Sequence, residues 1–535
     1  MERNFKNAAL GMSLIAALIY LAFPNRNFSN DALIYAAAAE SGDWNQLLHP
    51  HHLLYNVCGY LVWKGLGMAG ISFRAVYLLQ TINSLIGAAG LYVLFFSFRN
   101  ILRWNEKANN NFRVCAGSQC FPLLIAFSAG YWFYSIESEV YIPALFFIIC
   151  AFYLITKGLL QDYLERQNII RIGVLISLAC LFHQTHIFFI PAALIAVYRL
   201  RKNLSFRRGA LLLLFPIGAI ILPAYLLAAA YTGHLQSLAR FFYWITLYSH
   251  AGVYGHFKIL NTAACGMGIL RTWALSSVLK MFIVNRIVTL RIILLLMGML
   301  IFLMCLFVNL FELMKRFPRY MKIFRVLITL YIAWIIPYAL FNFWWEPYNQ
   351  EFWIPVLIPM VGLFSIPCLA RPSFHRVCVT WPAIILLFLI NLTGEMIPQS
   401  NLKNNERYQL CLELNRHGIK EQDRIIMPND TPLAYYNYFW GVKLPSLSFY
   451  LLEDRAEADI AKEIAEAKKR GGRLLISEAE INPVGVRALL RPARLPKETI
   501  RKFYDERLPR RKPLFTYLYD GRNITMFECS FEAAQ

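Results

Sequence analysis

The sequence predicts an α-helical, multi-pass membrane protein of about eleven transmembrane helices, followed by a small α/β domain. Three observations carry the prediction. The 535 residues are 58% apolar and only 16% charged, where soluble domains carry about a quarter charged residues. Long apolar runs alternate with short basic patches as far as residue 397. Beyond that point charges of both signs mix and the long apolar runs stop.

A spanning helix needs about 20 apolar residues, and about 17 still suffice. Such runs cover residues 8–24, 75–98, 114–133, 141–160, 169–182, 187–200, 210–230, 287–310, 325–344, 352–370 and 377–397. The two pieces inside 169–200 are short and read equally well as one broken or re-entrant region around His183 and His186. The first run follows Arg3 and Lys6 as a signal peptide would. No small-residue cleavage site comes after it, so it reads as an uncleaved first helix.

Basic residues set the orientation. With a cytoplasmic N-terminus, the inside loops hold Arg99, Arg103, Lys107 and Arg113, then Arg166 and Arg171. Next come Arg199, Arg201, Lys202, Arg207 and Arg208, then Lys315, Arg316, Arg319, Lys322 and Arg325, and finally Arg371 and Arg376. The outside turns near 134–140, 183–186 and 345–351 hold neither Lys nor Arg. The expected organisation is a membrane domain over 1–397, with outside loops 25–74 and 231–286, and a soluble extracytoplasmic domain over 398–535. The net charge of +21 is thereby assigned to topology, and membrane lipid rather than nucleic acid is the expected partner.

Residues 32–48 and 52–69 carry apolar and aromatic positions at helical spacing, as helices lying at the interface do. The segment 236–282 is aromatic and broken by glycines, suited to covering a site or lying along the membrane. In the tail, Arg424–Met427 and Arg473–Ser477 read as short strands, and Ala456–Arg470 as a helix ended by Gly471 and Gly472. The eleven cysteines show no metal-ligand spacing. Cys411 and Cys529 lie in the tail and are available to pair in an oxidising compartment.

Five polar clusters sit at the outer ends of the spans. In Ser29-Asn30-Asp31 the acid can serve as general base for a hydroxyl acceptor or as a helix cap. In His49-Pro50-His51-His52, with Tyr55 following, three histidines raise the question of a metal. Adjacent side chains diverge and no carboxylate sits at a supporting spacing, so a ring-lined pocket wall is favoured and no metal ligand is assigned. Glu137-Ser138-Glu139-Val140-Tyr141 places two acids at a membrane boundary, where they need water or partners. His183-Gln184-Thr185-His186 needs partners inside the bundle for the same reason. Trp344 to Trp353, with Glu346 and Asn349, is either an aromatic belt or a surface for sugar hydroxyls and rings. Lys64, Arg74, Arg240, Lys258 and Arg271 are outside cations, fit for a phosphate or for anionic lipid.

In their order and sidedness these clusters resemble the GT-C superfamily of polyprenyl-phosphate-sugar-dependent glycosyltransferases, and within it the protein O-mannosyltransferase-like branch. Asp31, the small residues Ala36–Ala39, His49-Pro50 and Leu54-Tyr55 follow the branch's order. So do Glu139-Val140-Tyr141, the His183–His186 element and the late aromatic loop of Trp345 to Pro355. Ala32 stands where a second acid is usual, and His51-His52 replaces a Pro-Gly type of pairing.

The resemblance implies an inverting transfer from a sugar on a polyprenyl phosphate to a hydroxyl of a protein, lipid or glycan acceptor on the outer face. Asp31 is then the base and Glu139 its assistant, the two meeting in one cavity. His49, His52, Tyr55, Glu137, Tyr141, His183, His186, Glu346 and Asn349 line the substrate. One or more of Lys64, Arg240, Lys258 and Arg271 then stabilises the leaving phosphate. No cofactor is implied beyond the lipid-linked sugar donor, which is a substrate. The competing reading is a transporter or flippase, whose polar groups belong at the midplane of repeated halves. No repeat is evident and the acids lie at the outer boundary. A third reading, an assembly scaffold, predicts that Asp31 is dispensable.

Overall fold

In the computed structural model, the residues described are 2–105, 111–250, 255, 257–274, 290–370, 374–445, 447–450, 456–482, 496–508, 510–519 and 521–530. Lys107, Arg371 and the opening of the expected 287–310 span lie outside them, as do parts of the 231–286 loop. Contacts divide the chain into two compact units. One holds residues 2–24, 35–274 and 290–396, and the other holds 25–34 and 397–530.

The first unit is a helical bundle. Its elements are α1 (Glu2–Ala22), α2 (Asn30–Ser41, entering from the second unit), α3 (Trp44–Leu47), α4 (Leu53–Met68), α5 (Ala75–Asn105), α6 (Asn111–Ala126) and α7 (Ala129–Ser135). They continue as α8 (Tyr141–Gln161), α9 (Arg166–Phe182), α10 (Ile190–Leu200), α11 (Phe206–Tyr231), α12 (Leu238–Ile245) and α13 (Asn261–Trp273). The last are α14 (Leu290–Lys315), α15 (Phe317–Trp345), α16 (Ile354–Ala370) and α17 (Phe374–Asn391).

Among the described residues, each of the eleven expected spans falls mainly on helix. Among the described residues, eight helices are long and apolar enough to cross a membrane, or nine if a bent pair counts as one span. That pair is α6 and α7, which meet at 72°. The Ser128 hydroxyl turns back onto the Ile125 carbonyl at the bend (2.7 Å), satisfying an acceptor that the broken helix releases. The region around His183 is a break between the short α9 and α10, filled by a 3₁₀ turn over Gln184–Phe189. Exposed side chains such as Leu211, Phe215 and Leu227 on α11 face outward as lipid-facing positions do.

The two ends of this bundle differ in charge. One end gathers the C-terminal part of α5, where Arg99 pairs with Glu2, and the α8–α9 connection, where Leu164 donates its N–H to the Leu200 carbonyl (2.9 Å). The basic residues of the loops following α10 and α14 belong to helix ends of the same polarity. The opposite end gathers the start of α5, the turn between α7 and α8, the break after α9 and the loop between α15 and α16. Side-chain hydrogen bonds and ring contacts described below join these four. The expected outside clusters of this unit therefore share one end of the bundle, remote from the basic loops.

The second unit has α18 (Ile397–Ser400), α19 (Glu406–Arg416), β1 (Arg424–Ile426), α20 (Thr431–Trp440), α21 (Ala456–Lys469), β2 (Leu474–Ser477), α22 (Glu478–Ile481), α23 (Lys497–Arg507), β3 (Arg511–Tyr519) and β4 (Arg522–Cys529). The sheet order is β1-β2-β4-β3. β1 and β2 are parallel, with Ile425 opposite Leu475, and β4 runs antiparallel to β2 and β3. Both expected strands and the expected charged helix are present. Ile426, Ile460, Leu474, Ile476, Ile500, Phe503 and Tyr504 form the core. Cys411 and Cys529 are both free thiols. Cys411 donates to the Pro432 carbonyl (3.1 Å), and Cys529, at the end of β4, packs in the core.

Candidate active site

The centre of the cluster in the first unit is the turn Glu137-Ser138-Glu139. All three residues are buried, Glu137 fully and Glu139 to within 3%. Polar backbone in such a place must find partners, and one turn of α5 supplies them. Asn83 Nδ2 donates to the carbonyls of Glu137 (2.7 Å) and Glu139 (2.6 Å). Gln80 Nε2 donates to the Ile136 carbonyl (2.6 Å) and Ser84 Oγ to that of Ser135 (2.9 Å). Spacing of three and four places these side chains on one face of α5. The Glu137 carboxylate accepts the Ser138 N–H (3.0 Å).

Aromatic and histidine rings surround the turn. Tyr141 opens α8 and meets the His183 ring at 5.0 Å, the Tyr134 ring at 5.0 Å and the Phe352 ring at 6.2 Å. Tyr134 donates its hydroxyl to Glu351 Oε2 (2.9 Å). His183 and Thr185 share a hydrogen bond (2.6 Å), and His186 shares one with the Tyr338 hydroxyl (2.9 Å). His186 is thus tied to the wall formed by α15.

The expected first outside loop joins the same end. Gln184 Nε2 and the Tyr225 hydroxyl both donate to the Pro50 carbonyl (2.9 and 2.7 Å), and the Gln184 N–H donates to the His51 carbonyl (3.2 Å). These bonds fix the His49–His52 corner. His49 stacks on His52 at 4.3 Å, His51 stacks on Tyr248 at 4.4 Å, and Tyr35 packs edgewise on His52 and Tyr55. Tyr55 Oη accepts from Asn83 Nδ2 (3.4 Å), which links the corner to the glutamate turn. Burial lowers His49 to about 4 and His51 to about 3, with the neighbouring histidine rings adding to the shift at His51. Both are therefore held in the neutral form at pH 7. No group of three or more metal-ligating side chains occurs among the described residues.

The late loop supplies the remaining wall. Asn349 accepts the Glu351 N–H (3.3 Å) and donates to Glu346 Oε2 (3.1 Å), and Trp353 Nε1 donates to the Pro347 carbonyl (2.9 Å). Arg271 at the end of α13 donates to the Tyr348 carbonyl (3.1 Å) and lies 4.1 Å from that ring's centre. Arg271 is therefore joined to the loop that carries Glu351. Lys64, Arg240 and Lys258 are exposed. Lys64 donates to the Tyr60 hydroxyl (2.8 Å), and the Arg240 N–H is held by the Ser237 cap.

Asp31 belongs to the second unit with residues 25–34. It lies exposed in the first turn of α2. The capping bond of that helix comes from Ser29, whose Oγ accepts the Ala32 N–H (3.0 Å). The sequence left open whether Asp31 is a cap, and the residue in the capping position is Ser29.

Several members of this cluster were not singled out from the sequence. Gln80, Asn83 and Ser84 are polar residues on a span, and polar groups there need partners. That alone flags them. Tyr134 and Tyr338 gave no such signal, because buried tyrosine is ordinary in an aromatic-rich bundle.

Comparison with known proteins follows the same lines. Residues 54–205 match the family described as Protein O-mannosyl-transferase TMEM260 N-terminal domain. No curated protein sequence matches. Among solved structures, ArnT from Cupriavidus metallidurans, bound to undecaprenyl phosphate, is similar with a TM-score of 0.56 at 12% identity, over 98% of each chain. An oligosaccharyltransferase from Archaeoglobus fulgidus, tethered to an acceptor peptide, gives a TM-score of 0.45 at 11% identity, over 98% of this chain and 74% of that one. The protein shares its overall fold with ArnT, and residues 54–205, from the expected first outside loop through the spans that follow, match a protein O-mannosyltransferase domain.

Proposed function

We propose that the protein transfers a sugar from a polyprenyl-phosphate carrier to a hydroxyl of a protein, lipid or glycan acceptor on the extracytoplasmic face, with inversion at the sugar. The observation that carries this reading is the buried Glu137-Ser138-Glu139 turn. It is held by Asn83 and walled by Tyr141, His183 and the Tyr134–Glu351 pair, at the bundle end remote from the basic loops. Acids kept at a boundary in this way have a use in binding hydroxyls. Basic loops stay in the cytoplasm, which orients this end, the first outside loop and the tail away from it.

In the proposed reaction the acceptor oxygen attacks the anomeric carbon while Asp31 takes its proton. The bond to the phosphate oxygen breaks, and the lipid phosphate leaves with the electron pair. Glu139 orients the acceptor, and Glu137 braces the turn. Tyr55, His49, His52, His183, His186, Glu346 and Asn349 bind the sugar and acceptor by hydrogen bonds and ring faces. Arg271 is favoured over Lys64, Arg240 and Lys258 for the leaving phosphate, because it is half-buried and anchored to the late loop. A cation there stabilises charge that develops only as the bond breaks.

The test is a transfer assay with a panel of polyprenyl-phosphate sugars against peptide and glycan acceptors. The anomeric configuration of the product is read by NMR. Transfer with inverted configuration supports the reading. Retention, or transfer only from a nucleotide sugar, sinks it.

A further inference from the structure

The segment from Asn25 to Ser29 leaves the first span and leads into the helix that starts with Asp31, yet it has no regular structure of its own. Its backbone groups must bond elsewhere. They bond to side-chain and backbone groups more than 370 positions away in the same unit. Asn405 Nδ2 donates to the Arg26 carbonyl (2.6 Å) and Arg407 Nη1 to the Phe28 carbonyl (2.8 Å), both across 379 residues of sequence. The Tyr435 hydroxyl donates to the same Phe28 carbonyl (3.2 Å). The Arg26 N–H donates to the Gln399 carbonyl (2.9 Å), and Asn30 Nδ2 donates to Asp430 Oδ2 (3.4 Å).

These contacts are buried and they interlock. Phe28 is 2% exposed, Tyr435 is fully buried, and their rings lie 6.4 Å apart. Asn405 does two things at once. Its Oδ1 accepts the Tyr408 N–H and so caps α19, while its Nδ2 also reaches the Tyr435 hydroxyl (3.0 Å). A guanidinium donor to a carbonyl is a charge-assisted bond and stronger than a neutral one. Within the segment, the Asn27 N–H bonds to Asn25 Oδ1 (2.8 Å). From the fixed Phe28 carbonyl, only Ser29 and Asn30 separate the clasp from Asp31, and Ser29 is itself committed to the helix cap.

We infer that the C-terminal domain is a positioning device for Asp31, with Asn405, Arg407 and Tyr435 holding the backbone of Arg26–Phe28 so that the carboxylate is presented at a fixed height on its helix. The inference rests on Asp31 being the base. It gives the tail a function in the transfer reaction, as the part that holds the general base. These three side chains are positioning residues: none of them touches the reacting atoms. A base displaced by about 1 Å loses on the order of 10²-fold in rate.

The experiment uses the full-length protein in nanodiscs. Asn405→Asp keeps the capping oxygen, since Asp is a favoured cap, and removes the donor to Arg26 and Tyr435. Tyr435→Phe keeps the ring beside Phe28 and removes the hydroxyl. Hydrogen exchange at the amides of residues 30–34 is expected to quicken about tenfold in both, with the exchange of the β1–β4 sheet unchanged. With the donor that the carrier panel identifies, kcat is expected to fall between about ten- and a hundredfold while KM for donor stays within about twofold. Arg407→Lys, which keeps a charged donor, should retain more activity than Arg407→Ala. Unchanged exchange at 30–34 overturns the inference, and so does faster exchange with unchanged kcat. Full activity in Asp31→Asn overturns the base assignment and the inference together, whereas an inactive Asp31→Asn beside fully active clasp variants overturns the inference alone.

Discussion

Tyr134 and Glu351, 217 residues apart in sequence, are joined by a hydrogen bond of 2.9 Å from the tyrosine hydroxyl to the carboxylate. The bond ties the bent helix before the Glu137–Glu139 turn to the late loop between α15 and α16. It closes the ring of elements around Tyr141, whose neighbours on either side are Tyr134 and His183.

Replacing Tyr134 by Phe removes that donor and leaves the rings in place. A hydrogen bond to a charged group contributes roughly 1.5–3 kcal/mol, so transfer should fall at least tenfold while the Tyr141 packing survives. Steady-state kinetics on purified Tyr134→Phe checks the rate, and thermal unfolding in detergent checks that the bundle persists.

Asn83 carries the glutamate turn on a single amide, because its Nδ2 serves the Glu137 and Glu139 carbonyls together. Asn83→Leu orphans two buried acceptors, each at a cost of about 1–3 kcal/mol. Asn83→Asp sets a carboxylate against the same carbonyls and should be worse. The unfolding midpoint should therefore rank wild type above Leu and Leu above Asp, with transfer lost in both variants.

How much of this was legible beforehand differs by element. The spans were, because runs of about 20 apolar residues and the basic loops leave a signal at every crossing. Glu139, Tyr141, His183 and the His49–His52 corner were also visible, as polar residues in places that penalise them. The braces Gln80, Asn83 and Tyr134 were not, since what marks them is the backbone carbonyl or carboxylate they meet, which only the packed helices bring near. The β3–β4 hairpin was missed although its signal is present. Asp520-Gly521 lies between alternating strand residues, the strongest short-range hairpin pattern, and Gly521 adopts the left-handed φ of +76° that such a turn needs. The grouping of residues 25–34 with the tail left no trace in local sequence at all, because it is made by contacts across nearly 400 positions.

The tail holds a buried acid, Glu480, fully enclosed and accepting from Ser448 Oγ (2.7 Å), the Phe449 N–H (2.8 Å) and Tyr504 Oη (3.1 Å). Burial raises it to about 7, against the opposing pull of those three donors. A carboxyl whose folded value lies above its unfolded one stabilises the fold most below the unfolded value, and this contribution is lost as pH rises through about 7. The unfolding midpoint of the tail should thus fall between pH 5 and pH 8. Glu480→Gln should flatten that slope, and pH-resolved thermal unfolding reads both.

The most direct measurement follows release of free polyprenyl phosphate, together with glycosylated acceptor, from a radiolabelled polyprenyl-phosphate sugar by the wild type, Asp31→Asn and Glu139→Gln in matched nanodiscs. Wild-type transfer, loss of about 10²-fold or more in Asp31→Asn and a smaller loss in Glu139→Gln, with all three proteins equally folded, is the predicted result. Transfer by Asp31→Asn at the wild-type rate would contradict it.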